Sequence, residues 1–521
     1  MSYANSAEPI LNRMDINELH TIDEALNGPR INLHKPLSAL CSQAQIAEAV
    51  RGILSDPEYH EETDIGLARI FSAVFGSVAR YNVTSRSYFI FDGKRWKKDD
   101  GDMIVERLAK MLAESLYSAC LQTDDHHFLK FVAKLGDRHK RITMIQDARS
   151  FNPVSEADFD TQTNLFNCLN GVLNLDNYTL MPHAPELLLS KLAGVKYDPS
   201  ASSLEWETFM SQIMVSNIEK VEYIQRWHGY SLLGCSPEEQ AVIYYGPDTR
   251  NGKSTMLSTM AAMMGDYARN ADPETLAKKN KDTSHASSDV ARLKGCRFVS
   301  MAEPPKNMIL NSKLLKELTG NDTITARNLF ENDFEFVPVF KLFIHTNYLP
   351  VINDDAVFRS GRLNVVTFER HFSEAEQDKS LKTRLRSAAN LSGLLNWCLA
   401  GLRMYRAEGL TPPESVREAT AAYRESCDKV AMFLRECMSV DPETNTSGKS
   451  AYEAYSSWCR ANGYGVEGKK NFLASLRVKG MLADTGTING LTAFNVILGY
   501  RLATDFSSDW MPSTDRIFDS G

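Results

Sequence analysis

The sequence predicts an α/β protein that is divided into several domains. Between about residues 201 and 372, short apolar segments alternate with helical segments, which is the pattern of a sheet covered by helices. At 521 residues the chain is longer than one hydrophobic core supports, so two to four domains are expected. Apolar residues make up 43% and charged residues 24%, as in ordinary globular proteins.

Patterning divides the rest of the chain around this core. A polar start with weak helical patterning is interpreted as an arm, and the next region combines amphipathic helices with a hairpin that turns at Asp92-Gly93. The stretch SVDPETNTSGKS, residues 439–450, has the composition of a linker. The predicted segments are an arm (1–62), an α+β domain (63–200), the α/β core (201–372), a helical segment (373–440), a small C-terminal domain (446–505) and a tail (506–521).

Charge and cysteine content limit the classes of function. The net charge of −8 means that any nucleic-acid site must be a local basic patch. The nine cysteines have no zinc-binding spacing, which favours reduced thiols in a cytoplasmic protein. No apolar run reaches the roughly 18 residues of a membrane helix, so we expect a soluble chain without a membrane partner.

The strongest motif is a phosphate-binding loop. The apolar strand AVIYY, which starts at Ala241, runs into GPDTRNGKST and then into a helix. Gly252 lets backbone N–H groups approach phosphates, Lys253 reaches the β and γ oxygens, and the Ser254 hydroxyl is a ligand for Mg²⁺. The segment therefore predicts an ATP site with Mg²⁺, formed by Gly246, Asn251, Gly252, Lys253, Ser254 and Thr255.

One feature of the loop departs from the common spacing. Five residues lie between Gly246 and Gly252, where the usual motif has four. This leaves the role of Gly246 open, while the chemistry of Lys253 and Ser254 is unaffected.

Two later apolar strands end in polar residues that suit phosphate hydrolysis. CRFVSMAE ends at Glu303, a candidate to hold Mg²⁺ and polarise the attacking water, and VFKLFIHTN ends at Asn347, a candidate to orient that water. Arg359 and Arg362 follow, and Arg362 is the first candidate to reach the phosphates of a neighbouring subunit, with Arg359 the second. The alternatives are a surface glutamate at a strand end and solvated arginines in a turn.

The order of these motifs resembles the ATPase core of superfamily III helicases. The segments SSDVARLKGCRFVSMAE and LLKELTGNDTITARNLFENDFEFVPVFKLFIHTNYLP are similar to the phage and plasmid primase-helicase family, which is related to the poxvirus primase-helicase. FNCLNGVLNLDNYTLMPH and WHGYSLLGCSPEEQAVIYYGP are similar to the region that precedes this core in the same family. The resemblance extends from about Thr63 to beyond Phe433.

The resemblance implies an AAA+ ATPase core and a DNA-directed motor. It implies a homo-oligomeric ring, a hexamer, with ATP at the subunit interfaces and with single-stranded or forked DNA as partner, next to other replication proteins. Fewer than about 70 residues precede the similar region, so we expect no primase catalytic domain. Two alternatives stay open: a DNA-stimulated ATPase that remodels or loads DNA without processive unwinding, and a non-catalytic ATP-binding platform.

A hairpin is predicted between Ile324 and Val339, with its turn at Glu331-Asn332. Superfamily III relatives carry a DNA-contacting loop at this point. The candidate contacts are Arg327 for phosphate, Asn328 for a polar group and Phe330 for stacking. The alternative is a structural hairpin whose Phe330 packs in a subunit interface.

The C-terminal segment predicts a winged-helix-like domain. Two helical stretches are followed by a hairpin that turns at Asn489-Gly490. Between Lys449 and Arg501 there are seven Lys or Arg and three acids, which makes this the basic part of an acidic chain. The aromatic stripe in its first helix is interpreted as core, and the alternative function is protein docking. The candidate DNA contacts are Lys469, Lys470, Arg477 and Lys479.

Overall fold

The N-terminal part of the chain folds around its own hydrophobic core in the computed structural model, which describes residues 42–278, 288–306, 308–327, 333–462 and 464–503. Helices surround a three-stranded antiparallel sheet of order β1-β2-β3. The elements are α1 (Gln43–Leu54), α2 (Asp64–Phe75), β1 (Ala79–Asn82), β2 (Ser87–Phe91), β3 (Trp96–Lys98), α3 (Met103–Cys120), α4 (His126–Ala133) and α5 (Arg138–Ala148).

Helix α1 corrects the predicted N-terminal arm. Ile46, Ala49 and Val50 are buried in the core of this domain, and their i, i+3, i+4 spacing gives the helix one apolar face. The Ser42 side chain caps the helix. The interpretation of 43–54 as arm is therefore wrong, and residues 1–41 lie outside the described part of the chain. The hairpin turn at Asp92-Gly93 is confirmed between β2 and β3.

A small antiparallel sheet connects this domain to the centre of the molecule. Phe166 and Leu173 from this sheet are buried in the same cluster as the central helices. The buried Arg297 donates hydrogen bonds to the carbonyl oxygens of Leu165, at 2.8 Å, and Leu232, at 2.5 Å. The sheet therefore packs with the core that follows it in sequence. Its strands are β4 (Leu165–Cys168), β5 (Gly171–Asn174) and β6 (Leu180–Met181).

A five-stranded parallel sheet forms the central core, as the alternating pattern predicts. Its strand order is β13-β7-β12-β9-β8, and its inner strands are buried on both faces. The elements of this region are α6 (Leu204–Ile213), α7 (Ile218–Tyr230), β7 (Ala241–Tyr245), α8 (Lys253–Met264), β8 (Ala268–Ala271), α9 (Ser288–Ala291), β9 (Phe298–Ala302), α10 (Ser312–Thr319), β10 (Ile324–Arg327), β11 (Asp333–Phe336), β12 (Lys341–Thr346), α11 (Ala356–Arg359) and β13 (Leu363–Thr367).

The long helix α13 (Ala388–Glu408) after the sheet packs against α7 through glycines. A Cβ on Gly229 would lie 2.1 Å from the Leu402 nitrogen, and a Cβ on Gly401 would lie 2.0 Å from the Gln225 carbonyl oxygen. Glycine at both positions lets the two helices meet backbone to backbone. The helices after the sheet are α12 (Leu381–Leu385), α13 (Ala388–Glu408), α14 (Glu414–Cys427) and α15 (Lys429–Cys437).

The C-terminal unit has a core of its own, in which Phe433 of α15 packs against Tyr455 and Trp458. The core of this unit thus begins before residue 440, and the aromatic stripe is core as predicted. The predicted linker 439–450 is wrong, because most of it forms an edge strand with a bulge between Val440 and Asn445. The hairpin turn at Asn489-Gly490 is confirmed. The elements are β14 (Met438–Ser447), α16 (Gly448–Ala461), α17 (Lys469–Val478), β15 (Leu482–Ile488) and β16 (Leu491–Leu502), with sheet order β14-β16-β15.

The mixed α/β class is confirmed by these elements. Among the described residues, no helix combines the length and the apolar character that a bilayer crossing requires.

A pH-dependent stability follows from His228, which is fully buried beneath the central sheet with Nε2 3.3 Å from the Tyr244 hydroxyl. Burial lowers its pKa from 6.5 to about 3. The unfolded chain takes up this proton near pH 6.5 and the folded chain does not, so stability is lost as pH falls from about 6.5 towards 3. Between pH 7 and 5 this residue costs about 2 kcal/mol of the free energy of unfolding.

His228→Gln keeps a polar partner for Tyr244 and removes the titration. The free energy of unfolding, measured by urea unfolding with tryptophan fluorescence, should fall less between pH 7 and pH 5 for this variant than for the wild type. His126→Gln, at an exposed position, is the matched control and should retain the full loss. Equal pH dependence in both variants would contradict the assignment to His228.

Candidate functional site

Three neighbouring parallel strands bring the predicted polar residues to one edge of the central sheet. Tyr245 of β7 pairs with Thr346 of β12, and Ala302 of β9 pairs with His345 of β12. Gly246, Asn347 and Glu303 are therefore the first residues beyond the three strands. The Gly246 N–H donates to Thr346 O at 3.2 Å and the Glu303 N–H to His345 O at 2.8 Å, so both ladders continue by one bond.

The loop after β7 is shaped by two glycines. A Cβ on Gly246 would lie 2.4 Å from Asn251 Nδ2 and 2.8 Å from Lys253 Nζ. Gly252 has φ +88° and packs against Ile213, whose Cγ2 would lie 2.4 Å from an added Cβ. The buried Asn251 donates to the Asp248 carbonyl oxygen at 2.7 Å and holds the loop closed. Gly246 thus provides the space in which the Lys253 ammonium lies, which gives it a role that the spacing had left open.

Lys253 is a buried ammonium, and no carboxylate of the described residues is in hydrogen-bond contact with it. Its Nζ donates to Gly246 O at 3.1 Å and to Asn347 Oδ1 at 3.0 Å, and its exposure is 4%. Burial lowers its pKa to about 8, while the carboxylates of Glu303 and Asp248 act in the opposite direction. One of its three N–H donors remains available for a further acceptor. The site therefore favours an anion.

Glu303 and Ser254 face solvent beside this ammonium. Glu303 has φ +45°, and within the described part of the chain its carboxylate has no hydrogen-bond partner. The exposed Ser254 and the half-buried Thr255 lie in the first turn of α8, where backbone N–H groups point outward. Behind them, burial lowers the pKa of His345, with Glu303 opposing and Lys253 reinforcing the shift. The edge thus offers oxygen ligands next to an anion site.

A cleft of about 700 Å³ adjoins the loop. Its walls come from α6, from the loop and from the segment that follows the sheet, and Phe209, Gln212 and Phe372 contribute to them. The Phe372 N–H donates to the Arg250 carbonyl oxygen at 3.0 Å, which ties that segment to the loop. Sequence reasoning missed these residues as site residues, although Phe209 belongs to a stretch with visible helical periodicity.

The two candidate arginines lie in different surroundings. Arg362 immediately precedes β13, so it lies at the amino ends of the strands, whereas Gly246 follows the carboxyl end of β7. Its guanidinium is 16% exposed and contacts Glu239 and the Thr319 hydroxyl, each at 2.8 Å. Arg359 is 60% exposed and pairs with Asp355 at 2.7 Å. Arg359 is thus the more accessible cation.

The predicted hairpin before β12 is present as β10 and β11, with Arg327 paired to Asp333. The Arg327 side chain is 46% exposed, with its Nε 3.6 Å from the Asp333 carboxylate. Asn328, Phe330 and the predicted turn at Glu331-Asn332 lie outside the described residues.

The basic residues of the C-terminal unit fall into two groups. Lys469 and Lys470 are exposed at the start of α17, and within the described ranges no acid pairs with them. Arg477 contacts Asp484 at 2.7 Å, and Lys479 is paired with Asp428. The first pair is therefore free for an external anion.

Family models match three parts of the chain. A model described as "D5 N terminal like" matches residues 68–215, a "Family of unknown function (DUF5906)" matches 244–360, and a "Poxvirus D5 protein-like" model matches 425–479.

Viral proteins are the relatives in this comparison. "Putative helicase 022R" of Frog virus 3 (isolate Goorha) is 30% identical over 249 residues, 44% of this chain and 25% of that protein. "Putative helicase L207/L206" of Acanthamoeba polyphaga mimivirus is 28% identical over 367 residues, 65% of this chain and 38% of that protein. Further relatives, from African swine fever virus, carry the name "Putative primase C962R". Two segments of the chain are thus similar to D5-like families, and the chain is similar to viral proteins named as putative helicases or primases.

The D5-like segments coincide with structural units. The first match covers most of the N-terminal domain, the β4–β6 sheet and α6, and the last covers α15 to α17. The chain spans between 25% and 38% of the length of the two helicase-named relatives. A solved structure of the NrS-1 C-terminal region aligns over 80% of this chain and 83% of that chain, with 11% identity and a TM-score of 0.44, a likeness too weak to carry an argument.

Gly246→Ala tests the shape of the anion site. The new methyl group would lie 2.8 Å from both Lys253 Nζ and the Phe368 carbonyl oxygen, and the backbone oxygen cannot move away easily. We expect the affinity for inorganic triphosphate, measured by calorimetry, to fall at least about tenfold, or about 1.4 kcal/mol. Gly465→Ala is the control, because a Cβ there meets nothing within 4 Å. Equal affinity in the two variants would contradict the geometry of the site.

Proposed function

We propose that the chain is an ATP-dependent DNA helicase of the superfamily III type, acting in the replication of a phage, plasmid or related DNA element. The observation that carries the proposal is the placement of Lys253, Asn347 and Glu303 beyond three adjacent parallel strands. This arrangement puts a cation, a polar amide and an exposed carboxylate around one anion site, as hydrolysis of a nucleoside triphosphate requires. The helicase names of the viral relatives support the choice of DNA as the partner.

The residues at the sheet edge fit a complex of ATP with Mg²⁺. Gly246 and Gly252 leave the backbone open to phosphates, and Lys253 has a donor to spare. The exposed Ser254 hydroxyl and the Glu303 carboxylate are the oxygen ligands that would hold Mg²⁺, and Asn251 and Thr255 complete the loop. When bound, the metal neutralises charge on the phosphates and orients them.

Each residue then has a defined part in hydrolysis. Lys253 exchanges its contact with Asn347 for phosphate oxygens, which stabilises the charge that develops there. The Asn347 amide is released by this exchange and orients the attacking water. Glu303, whose carboxylate is exposed and unbonded, accepts the proton from that water.

The cleft beside the loop supports a place for the nucleoside. Phe209 and Phe372 offer ring surfaces for a base, and Gln212 offers an amide for its polar edge. Arg250 and Thr255 lie where this cleft meets the phosphate loop, so base and phosphates are bound in one continuous site.

A homo-oligomeric ring, the hexamer that the family resemblance implies, would complete the motor. Arg359 is exposed and is suited to reach the ATP of a neighbouring subunit, whereas internal contacts hold Arg362. The β10–β11 hairpin, with Arg327, would contact DNA in the channel. In the C-terminal unit, the order helix, strand, two helices and hairpin supports a winged-helix-like fold, with Lys469 and Lys470 towards DNA.

Two other functions use the same site. A DNA-stimulated ATPase that remodels or loads DNA would hydrolyse ATP without unwinding a fork. A non-catalytic platform would bind ATP only, but the exposed Glu303 beside a complete phosphate loop disfavours it. Unwinding of a forked duplex, measured together with ATP turnover with and without single-stranded DNA, separates the three.

Hydrolysis depends on the charge of two side chains. Lys253→Ala should weaken ATP binding and abolish turnover, because it removes the cation at the phosphates. Glu303→Gln should bind ATP normally and lose turnover by about 10²-fold or more, since an amide cannot accept the proton. Both should fail to unwind forks. Near-normal turnover in Glu303→Gln would instead assign the base to another acid, such as Asp289 or Glu317.

Substitution of Arg359 and of Arg362 should affect different properties, ATP turnover in the first case and stability in the second. Arg359→Ala should lower turnover by about 10³-fold with an unchanged melting temperature, since its side chain is exposed. Arg362→Ala should lower the melting temperature, because it breaks contacts to Glu239 and Thr319. Mixing Arg359→Ala with Lys253→Ala protein should restore some turnover if the arginine acts on a neighbour. A loss of turnover in Arg362→Ala alone, at full stability, would reverse the assignment.

A further inference from the structure

A basic surface on the N-terminal domain has no part in the function proposed above. Helices α4 and α5 are joined by a tight turn at Lys134–Gly136. Residues 126–149 carry six Lys or Arg and two Asp, so this short stretch is strongly positive in a chain of net charge −8.

Some of these cations hold the turn in place. Arg141 donates to the carbonyl oxygens of Leu135, at 2.6 Å, and Gly136, at 2.7 Å. Lys140 pairs with Asp64 of α2 at 2.9 Å, and the Leu135 side chain is fully buried beneath the turn. The turn is thus fixed against the body of the domain.

Three other cations, Lys130, Lys134 and Arg138, are exposed, and among the described residues only Arg138 of the three contacts an acid. Lys130 and Lys134 are exposed and four residues apart, and no carboxylate in the described ranges pairs with either. Arg138 is 76% exposed and makes one 3.3 Å contact with Glu106. Like charges at this helical spacing destabilise a helix rather than support it. Lys130 in α4, Lys134 in the turn and Arg138 at the start of α5 therefore indicate an anion outside the domain.

The lack of exposed large apolar side chains on this surface indicates which kind of anion it binds. Between residues 126 and 149, all of them described, no large hydrophobic side chain is exposed. A protein interface needs an apolar or aromatic centre, whereas interfaces with nucleic acid are polar and positive. Three exposed cations, of which Lys134 lies with its Nζ 5.6 Å from the ring centroid of the half-buried Phe131, match a phosphate backbone.

We propose that Lys130, Lys134 and Arg138 form a second DNA-binding surface, which contacts the phosphate backbone without reading sequence. The proposal rests on the proposed function only in taking DNA as the polymer, and it does not require ATP hydrolysis. The surface holds DNA on the N-terminal domain, separate from the β10–β11 hairpin and from Lys469 and Lys470.

The test is a salt titration of DNA binding by the full chain, with fluorescence anisotropy on duplex and on single-stranded DNA. The triple variant Lys130→Ala/Lys134→Ala/Arg138→Ala should bind more weakly. The slope of log K against log salt should become shallower by roughly 2 to 3, because each lost phosphate contact removes about 0.7 to 0.9. Whichever DNA form shows the larger change is the one that this surface holds. ATP turnover without DNA and the melting temperature should stay unchanged.

The matched control is Arg51→Ala/Lys98→Ala/Lys196→Ala, which removes the same charge from exposed positions elsewhere. Its salt slope should equal that of the wild type. Lys130→Arg/Lys134→Arg should bind as the wild type does, since a phosphate contact needs only the charge.

The proposal is overturned if the test triple and the control triple bind both DNA forms with the same affinity and slope. A Lys469→Ala/Lys470→Ala variant measured in parallel distinguishes this from a failure of the wider function. If the Lys469→Ala/Lys470→Ala variant loses DNA affinity while the triple variant does not, only the proposal of a second DNA-binding surface is wrong. If DNA binding is normal but the wild type hydrolyses no ATP, only the proposed motor is wrong.

Discussion

The parallel alignment of β7, β12 and β9 is the constraint on which the site depends. Parallel strands end at the same edge, so residues far apart in sequence become neighbours there. Because Tyr245 pairs with Thr346 and Ala302 with His345, a shift of one residue in either ladder would displace Asn347 or Glu303 by about 3.3 Å. Burial of these strands on both faces makes such a shift costly.

Desolvation gives this edge its chemical character. Lys253 is taken out of water, and its hydrogen-bond acceptors among the described residues are two neutral oxygens, so one of its donors stays available. The electrostatic attraction between an incoming anion and such a buried cation is stronger than the attraction to a hydrated cation. The close approach of Gly246 makes this possible, since any side chain there would occupy the space of the ammonium.

Local patterns in the sequence were sufficient for much of the fold and for part of the site. Strands that end in Glu303 and Asn347, and turns such as Asn489-Gly490, have short-range signals that the structure bears out. Strand β14 was missed because its polar residues and Pro442 have loop composition, and only pairing with β16 makes it a strand. The cleft was missed for a related reason: its walls at Phe209 and Phe372 are distant in sequence and meet only in the folded chain.

The buried guanidinium of Arg297 joins two parts of the protein that composition assigns to different domains. It bonds to Leu165 of the small β4–β6 sheet and to Leu232 before β7, and it stacks on Tyr267 with 4.6 Å to the ring centroid. No carboxylate of the described residues pairs with this cation, which depends on backbone carbonyls from both sides. Dissection of the chain at the apparent border near residue 200 would strip it of one acceptor and open its pocket to water. A fragment that is to keep the central core folded must therefore retain the small sheet.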